Sequence, residues 1–197
     1  MKRLLLGAIS LVLIAVGLAL IAYYFLNPTN PQNFNVPKPE SVQQVQNQAP
    51  GGPEDKTLKV TIPAMARIEG VPVPDASSDD EEDKLKNYAA IHLQGTGFPW
   101  QEGANVYIAG HRLGYPGYPS FLAFYDLDKL KEGDEIFVED ANGRKYTYRV
   151  FRNFVANPTD LSVLNPVAGK SILTLQTCTL PDYSQRLIVQ AELVNRA

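Results

Sequence analysis

The sequence predicts an all-β domain, a barrel or a sandwich, held behind a membrane anchor. Three observations predict it. The chain opens on an uncharged apolar run, continues through a polar Pro-rich stretch, and then becomes a succession of short alternating segments separated by turn residues.

Lys2 and Arg3 precede the uncharged run from Leu4 to Leu26. About 20 apolar residues suffice to cross the hydrocarbon core of a bilayer. A cleaved signal peptide has a shorter apolar region and a small-residue cleavage site. Here the run continues through Ala22, Tyr23, Tyr24 and Phe25 without one, and the tyrosines stand where an interfacial aromatic belt would. Residues 1–26 are therefore expected to be a cytoplasmic tip and an uncleaved single-pass membrane anchor. Lys2 and Arg3 stay cytoplasmic by the positive-inside rule, and the rest of the chain is extracellular.

Residues 27–56 are rich in Pro, Gln and Asn and poor in apolar side chains. Such a stretch cannot bury enough surface to offset its ordering entropy, so a disordered, semi-stiff linker is expected. The domain should then occupy residues 57–197.

Within it, Leu58 to Ile62 alternates and stops at Pro63. Ala66 to Val73 reads as a second strand and Asn105 to Ala109 as a third. Glu135 to Val138 leads through Asp140-Ala141-Asn142-Gly143 into Lys145 to Phe154, and Asn-Gly is a strong hairpin signal. Ser171 to Cys178 and Arg186 to Val194 complete the strands. Asp79 to Ala90, with acidic residues in its first turn, is expected to be helical, as is the short stretch Phe121 to Leu130.

Composition excludes several functions. The net charge is −3 and no Lys/Arg stripe appears, so nothing points to nucleic acid. The single cysteine, Cys178, rules out an intramolecular disulfide and a CxxC redox or zinc pattern. With two histidines, His92 and His111, no metal site is assigned and no cofactor is expected. The run Asp79-Asp80-Glu81-Glu82-Asp83 has the oxygens Ca²⁺ prefers but not EF-hand spacing, so a solvated helix start is favoured over a Ca²⁺ site.

Side-chain alternation brings chemistry together. In Leu173-Thr174-Leu175-Gln176-Thr177-Cys178 the leucines point one way, and Thr174, Gln176 and Cys178 the other. In Arg186 to Leu193, Leu187, Val189, Ala191 and Leu193 form an apolar face opposite Arg186. With both apolar faces in the core, Cys178 and Arg186 share the outer face at the neighbouring ends of an antiparallel pair. His111 lies just past the third strand, on the face away from Val106 and Ile108. The three are expected to converge on an exposed patch of the barrel wall. A neighbouring cation favours the nucleophilic thiolate. His111 can exchange protons, whereas Arg186 keeps its proton and suits an oxyanion.

These residues carry a resemblance. Thr174-Leu175-Gln176-Thr177-Cys178 resembles the TLxTC signature of the sortases, Arg186 stands where their arginine does, and Ala109-Gly110-His111-Arg112 is similar to their histidine segment. The resemblance implies an eight-stranded sortase-like β-barrel with one or two short helices. It implies a cysteine transpeptidase that cleaves an LPxTG-like sorting signal after Thr through a thioacyl intermediate. The expected partners are surface proteins bearing that signal, and an amine on a peptidoglycan precursor or a pilin lysine. Cys178 would be the nucleophile, His111 the acid/base and Arg186 the oxyanion holder. Thr177 would support the substrate groove. The segment from Asn157 to Lys170, with Leu161 and Leu164, would wall the pocket. Apart from the resemblance, Tyr115, Tyr118 and Phe121, which follow His111, could line a groove for an extended peptide or equally pack the loop. The GHR run and the short loop before Arg186 resemble classes D and E. Gly95-Thr96-Gly97-Phe98-Pro99-Trp100 departs from those classes in lacking a histidine, and no role is transferred to His92.

Two other readings stand beside this one. A papain-like peptidase or amidase places its cysteine before its histidine, the reverse of this order. A tethered, non-catalytic binding domain would leave Cys178 without covalent chemistry.

Overall fold

The computed structural model describes residues 14–19, 22 and 52–197. The anchor expected over residues 1–26 and the linker over 27–56 lie for the most part outside the described residues. Residues 14–19 are helical, and no helix among the described residues is long and apolar enough to cross a membrane. At the end of the linker, Pro53 is buried, and Lys56 lies over the stacked rings of Phe98 and Trp100.

Nine strands follow: β1 (Leu58–Thr61), β2 (Val71–Val73), β3 (Asp75–Ala76), β4 (Ile91–Leu93), β5 (Asn105–Ala109), β6 (Glu135–Glu139), β7 (Lys145–Ala156), β8 (Ile172–Cys178) and β9 (Arg186–Arg196). They form one sheet in the order β2-β1-β6-β7-β9-β8-β5-β4-β3. The count is nine rather than the eight expected, and the reason is local. β2 and β3 are halves of one extended run interrupted at Pro74, which has no N–H to give a ladder. The first half pairs antiparallel with β1 and the second parallel with β4. This single run therefore joins the two ends of the sheet and nearly closes the barrel.

The first strand ends one residue short of its expected limit, and the second begins only at Val71, after Gly70 turns the chain with a φ of +60°. The helix occupies Glu81–Asn87, shorter than its acidic start suggested. Phe121 to Leu130 is not an α-helix. It is a series of turns ending in a 3-10 turn, Leu127–Lys129, because Leu122 adopts a φ of +56° and donates its N–H to Leu113 O. The hairpin at Asn142-Gly143 forms as its sequence required. Gly143 has a φ of +81°, and the Asp140 carboxylate accepts from the N–H groups of Asn142 and Arg144.

Alternation along the strands sorts side chains into two apolar clusters. Inside the barrel lie Val60, Val106, Ile108, Ile136, Tyr148, Leu173, Leu175, Val189 and Ala191 with the turn residue Phe124. On the outer face Tyr107, Ala109 and Ile188 pack with Leu85 of the helix and with Val163 and Leu164 of a 3-10 turn, Leu161–Leu164. This second layer explains why every residue of β5 and of β8 is buried. Strands covered on both faces need not read as apolar throughout, since the outer face carries a hydrogen-bonded polar row.

Candidate active site

The site is assembled at the ends of three adjoining strands. β8 runs parallel to β5 and antiparallel to β9. In the second pairing Cys178, the last residue of β8, stands directly opposite Arg186, the first of β9. The next pair outward is hydrogen bonded, Thr179 donating its N–H to Gln185 O at 3.0 Å. Hydrogen-bonded and non-hydrogen-bonded pairs alternate along an antiparallel ladder. Cys178 and Arg186 are therefore a non-hydrogen-bonded pair, the kind whose Cβ atoms approach to about 5 Å on one face of the sheet.

The loop between them is tied to itself. Tyr183 N–H donates to Thr179 O, Thr179 Oγ1 accepts from Gln185 N–H, and the Asp182 carboxylate accepts from Ser184 N–H. The guanidinium donates through one Nη1 to the carbonyls of Tyr183 and Gln185, at 3.1 and 3.2 Å. The hairpin thus fixes the direction in which Arg186 presents its charge.

His111 arrives from the other side of β8. Ala109 is level with Gln176, and Gly110 donates its N–H to Gln176 O at 3.0 Å. Thr177 Oγ1 donates to Gly110 O at 2.8 Å. Continued two residues past the Ala109–Gln176 pair, the same register sets His111 level with Cys178. Its ring meets Tyr115 edge-on at 5.6 Å, and its carbonyl accepts from Phe124 N–H at 3.0 Å. Only glycine fits before it, since a Cβ on Gly110 would stand 2.8 Å from the Phe124 ring.

All three side chains are on the outer face, as alternation required, but they are not exposed. Cys178 is 4%, His111 5% and Arg186 5% accessible. Tyr115 packs on the His111 ring and the 179–185 loop holds the Arg186 guanidinium, and local alternation carries no signal of what packs over a sheet face. Burial sets the protonation of the imidazole and the thiol. It pulls the His111 imidazole down to about 4. It pushes the Cys178 thiol up, against the opposing pull of the Arg186 charge. At neutral pH the resting pair is thiol and imidazole, with the guanidinium as the site's fixed cation.

The remaining candidates divide. Tyr115 lies against His111. Leu164 is buried in the outer cluster, while Leu161, at the start of the same turn, is 36% exposed. Thr177 is fully buried and faces the barrel side, where its hydroxyl holds the Gly110 carbonyl. Its place is behind the strand that carries Cys178. His92 pairs with Ile108 and shares that residue's face, away from the site. It is fully buried between Asp75, at 2.7 Å from Nδ1, and Gly97 O, at 2.9 Å from Nε2. In the acidic run, Asp80 pairs with Lys84 and accepts from Ser77. Among the described residues no group of His, Cys, Asp and Glu could hold a metal ion.

A polar row that the sequence did not single out crosses the floor of the site. Thr174 Oγ1 donates to Asn105 Oδ1 at 2.7 Å, Gln190 Nε2 donates to Thr174 Oγ1 at 3.1 Å, and Arg152 Nε donates to Gln190 Oε1 at 2.7 Å. Asn105 Nδ2 donates in turn to the carbonyls of Val163 and Asn165, so it pins the 157–170 segment onto the sheet. Nearer the cysteine, Tyr107 OH donates to Gln176 Oε1. The signal available was the polar residue at alternate positions of otherwise apolar strands.

Residues 60–194 match the sequence profile of the Sortase domain family. Sortase A of Streptococcus agalactiae serotype III (strain NEM316) is 37% identical over 93 residues, which cover 46% of this chain and 37% of that one. The match thus spans little more than a third of that relative's length. Among solved structures, the Group B Streptococcus Pilus Island 1 Sortase C2 is similar with a TM-score of 0.61 and 30% identity, over 72% of this chain and 75% of that one. The Clostridium perfringens Sortase D5 transpeptidase has a TM-score of 0.58 and 28% identity, over 71% and 79%. These relatives carry the names of sortases A, C and D, so the likeness does not single out the D or E class that the sequence suggested. The profile match covers most of the chain, and the strands it covers present the cysteine, histidine and arginine on one face: the chain belongs to the sortase family, whose members are cysteine transpeptidases.

Proposed function

We propose that this chain is a membrane-anchored transpeptidase that cleaves an LPxTG-like sorting signal after its Thr and joins the acyl part to an amine. The observation that carries the reading is the meeting of Cys178, Arg186 and His111 at the ends of β8, β9 and β5.

The steps follow from the positions. Cys178 gives its proton to His111 as its sulfur attacks the carbonyl carbon of the substrate Thr. The carbonyl oxygen gains the negative charge, which the Arg186 guanidinium stabilises. His111 then passes the proton to the departing amide nitrogen. The C–N bond breaks and a thioester to Cys178 remains. An incoming amine loses a proton to His111 and attacks the thioester, and the proton returns to the sulfur as the product leaves. Enclosure of the site supports transfer over hydrolysis, because it limits the access of water to the thioester.

The acceptor would be an amine on a cell-wall precursor or a pilin lysine. The likeness to a pilus-island sortase keeps the second within the proposal. Residues 1–26 would hold the enzyme in the cell membrane with the domain outside, a reading that Lys2, Arg3 and the apolar run after them support. The substrates would then be surface proteins held in the same membrane.

A library of peptides with Leu-Pro-x-Thr-Gly variants, incubated with an amine and analysed by mass spectrometry, tests the activity. The expected product joins the amine to the Thr carbonyl. Hydrolysis alone under excess amine would favour a peptidase, and intact peptides throughout would favour a binding domain.

A further inference from the structure

The floor of the site contains a donor that the mechanism does not use. Gln176 is two residues before Cys178 on the same face of β8 and is 1% exposed. Its Oε1 accepts from Tyr107 OH, which orients the amide. Its Nε2 is buried and has no hydrogen-bond partner among the described residues. An unpaired buried amide is costly, and native proteins keep few of them. Tyr107 cannot be swapped away cheaply either, since it is fully buried between β5 and the outer layer.

The spacing says what would satisfy it. Same-face neighbours on a strand are about 7 Å apart, and an extended peptide repeats at the same interval. When the scissile carbonyl lies at the Cys178 sulfur, the carbonyl two residues away comes level with Gln176. Direction is set by the chemistry. The acyl part must stay bound while the amine part leaves, and the floor formed by Tyr107, Thr174 and Gln176 extends from Cys178 back along β8 only. The retained residues, those before the scissile bond, therefore lie over Gln176.

We propose that Gln176 is a substrate-positioning residue whose Nε2 donates to the backbone carbonyl of the residue two before the scissile position. This rests on the transpeptidase reading. The bond holds an extended peptide in register with the nucleophile without reading a side chain. Tyr107 acts through Gln176 by fixing its amide.

The test uses the full-length chain and two peptides containing Leu-Pro-Ala-Thr-Gly. One is unmodified, and in the other an (E)-alkene replaces the amide whose carbonyl is that of the Pro. With the native enzyme the alkene is expected to lower kcat/KM for thioester formation about 10- to 100-fold, the range for an unpaired buried donor. Gln176→Met should lower kcat/KM for the unmodified peptide by a similar factor and lose nothing further with the alkene. Its Cys178 should still react with iodoacetamide at the native rate. Indifference of the native enzyme to the alkene overturns the proposal and needs no variant to fold. A full second loss from the alkene in Gln176→Met overturns it too, as does native turnover of the unmodified peptide by that variant, the result expected if a buried water satisfies Nε2. If the native enzyme forms no thioester with the unmodified peptide, the transpeptidase reading falls first and takes this one with it.

Discussion

Cys178 and Arg186 face each other directly across the β8–β9 ladder, in a pair without backbone hydrogen bonds of its own. The arrangement gives the guanidinium two tasks. It favours the thiolate against the burial that opposes it, and it stands ready for the oxyanion. Arg186→Met is therefore expected to slow thioester formation about 100- to 1000-fold, the scale for loss of one oxyanion donor. It should also raise the pH at which Cys178 reacts with iodoacetamide. An alkylation profile that does not move would separate Arg186 from the thiol.

The pH dependence of turnover follows from burial of the same pair. His111 is held down to about 4 and Cys178 is held up, so the neutral pair prevails between them. The rate should be level across neutral pH, fall on the acid side near 4 as the imidazole charges, and fall on the alkaline side above the ordinary thiol value. The two limbs belong to the coupled pair rather than to one residue. Stopped-flow acylation from acid to alkaline pH checks this, and a limb near 6.5 would contradict it.

Stability should follow the imidazole as well. Its folded value of about 4 lies below the unfolded value of about 6.5. Between these values the unfolded chain binds the proton and the folded chain does not. Stability supported by the neutral ring is complete above 6.5 and falls as the pH drops towards 4, by about 3 kcal/mol in all. Denaturant titrations at pH 7 and pH 4 should show this loss in the native protein and a smaller one in His111→Gln.

Gly110 tests the placement of the histidine without touching its chemistry. A Cβ there would sit 2.8 Å from the Phe124 ring, against the residue whose N–H holds His111 O. Gly110→Ala should cost about 1–3 kcal/mol of stability, the usual scale of overpacking, and lower kcat more than it raises KM. Thr177→Val removes the other tie, the hydroxyl on Gly110 O, and should cost about 1–2 kcal/mol. Melting curves with steady-state kinetics distinguish the two effects.

Much of this was legible in the chain, and what was not has physical causes. Alternation in Leu173 to Cys178 and in Arg186 to Leu193 was enough to put the thiol and the guanidinium on one face, because a strand has a period of two whatever surrounds it. The turn at Asn142-Gly143 was legible because only a few residues adopt its backbone readily. The burial of the three side chains was not, since a strand's period says nothing of what packs over its face, here the Tyr115 ring on His111 and the Tyr183 carbonyl on Arg186. The ninth strand was hidden because β3 is two residues long and follows a proline. The helix expected after Phe121 failed because pairing of Leu122 with Leu113 and of Phe124 with His111 outweighed local propensity. Asn105 and Gln176 read as isolated polar residues until the partner strands brought Thr174 and Tyr107 to them.

The most direct measurement is the intact mass of the protein after incubation with a Leu-Pro-Ala-Thr-Gly peptide and no amine. The convergence of the three residues predicts a single thioester adduct, mapped to Cys178. It should be absent in Cys178→Ala and form at least about 100-fold more slowly in His111→Ala and Arg186→Ala. An adduct on any other residue, or one that forms at the native rate without His111 or Arg186, would contradict it.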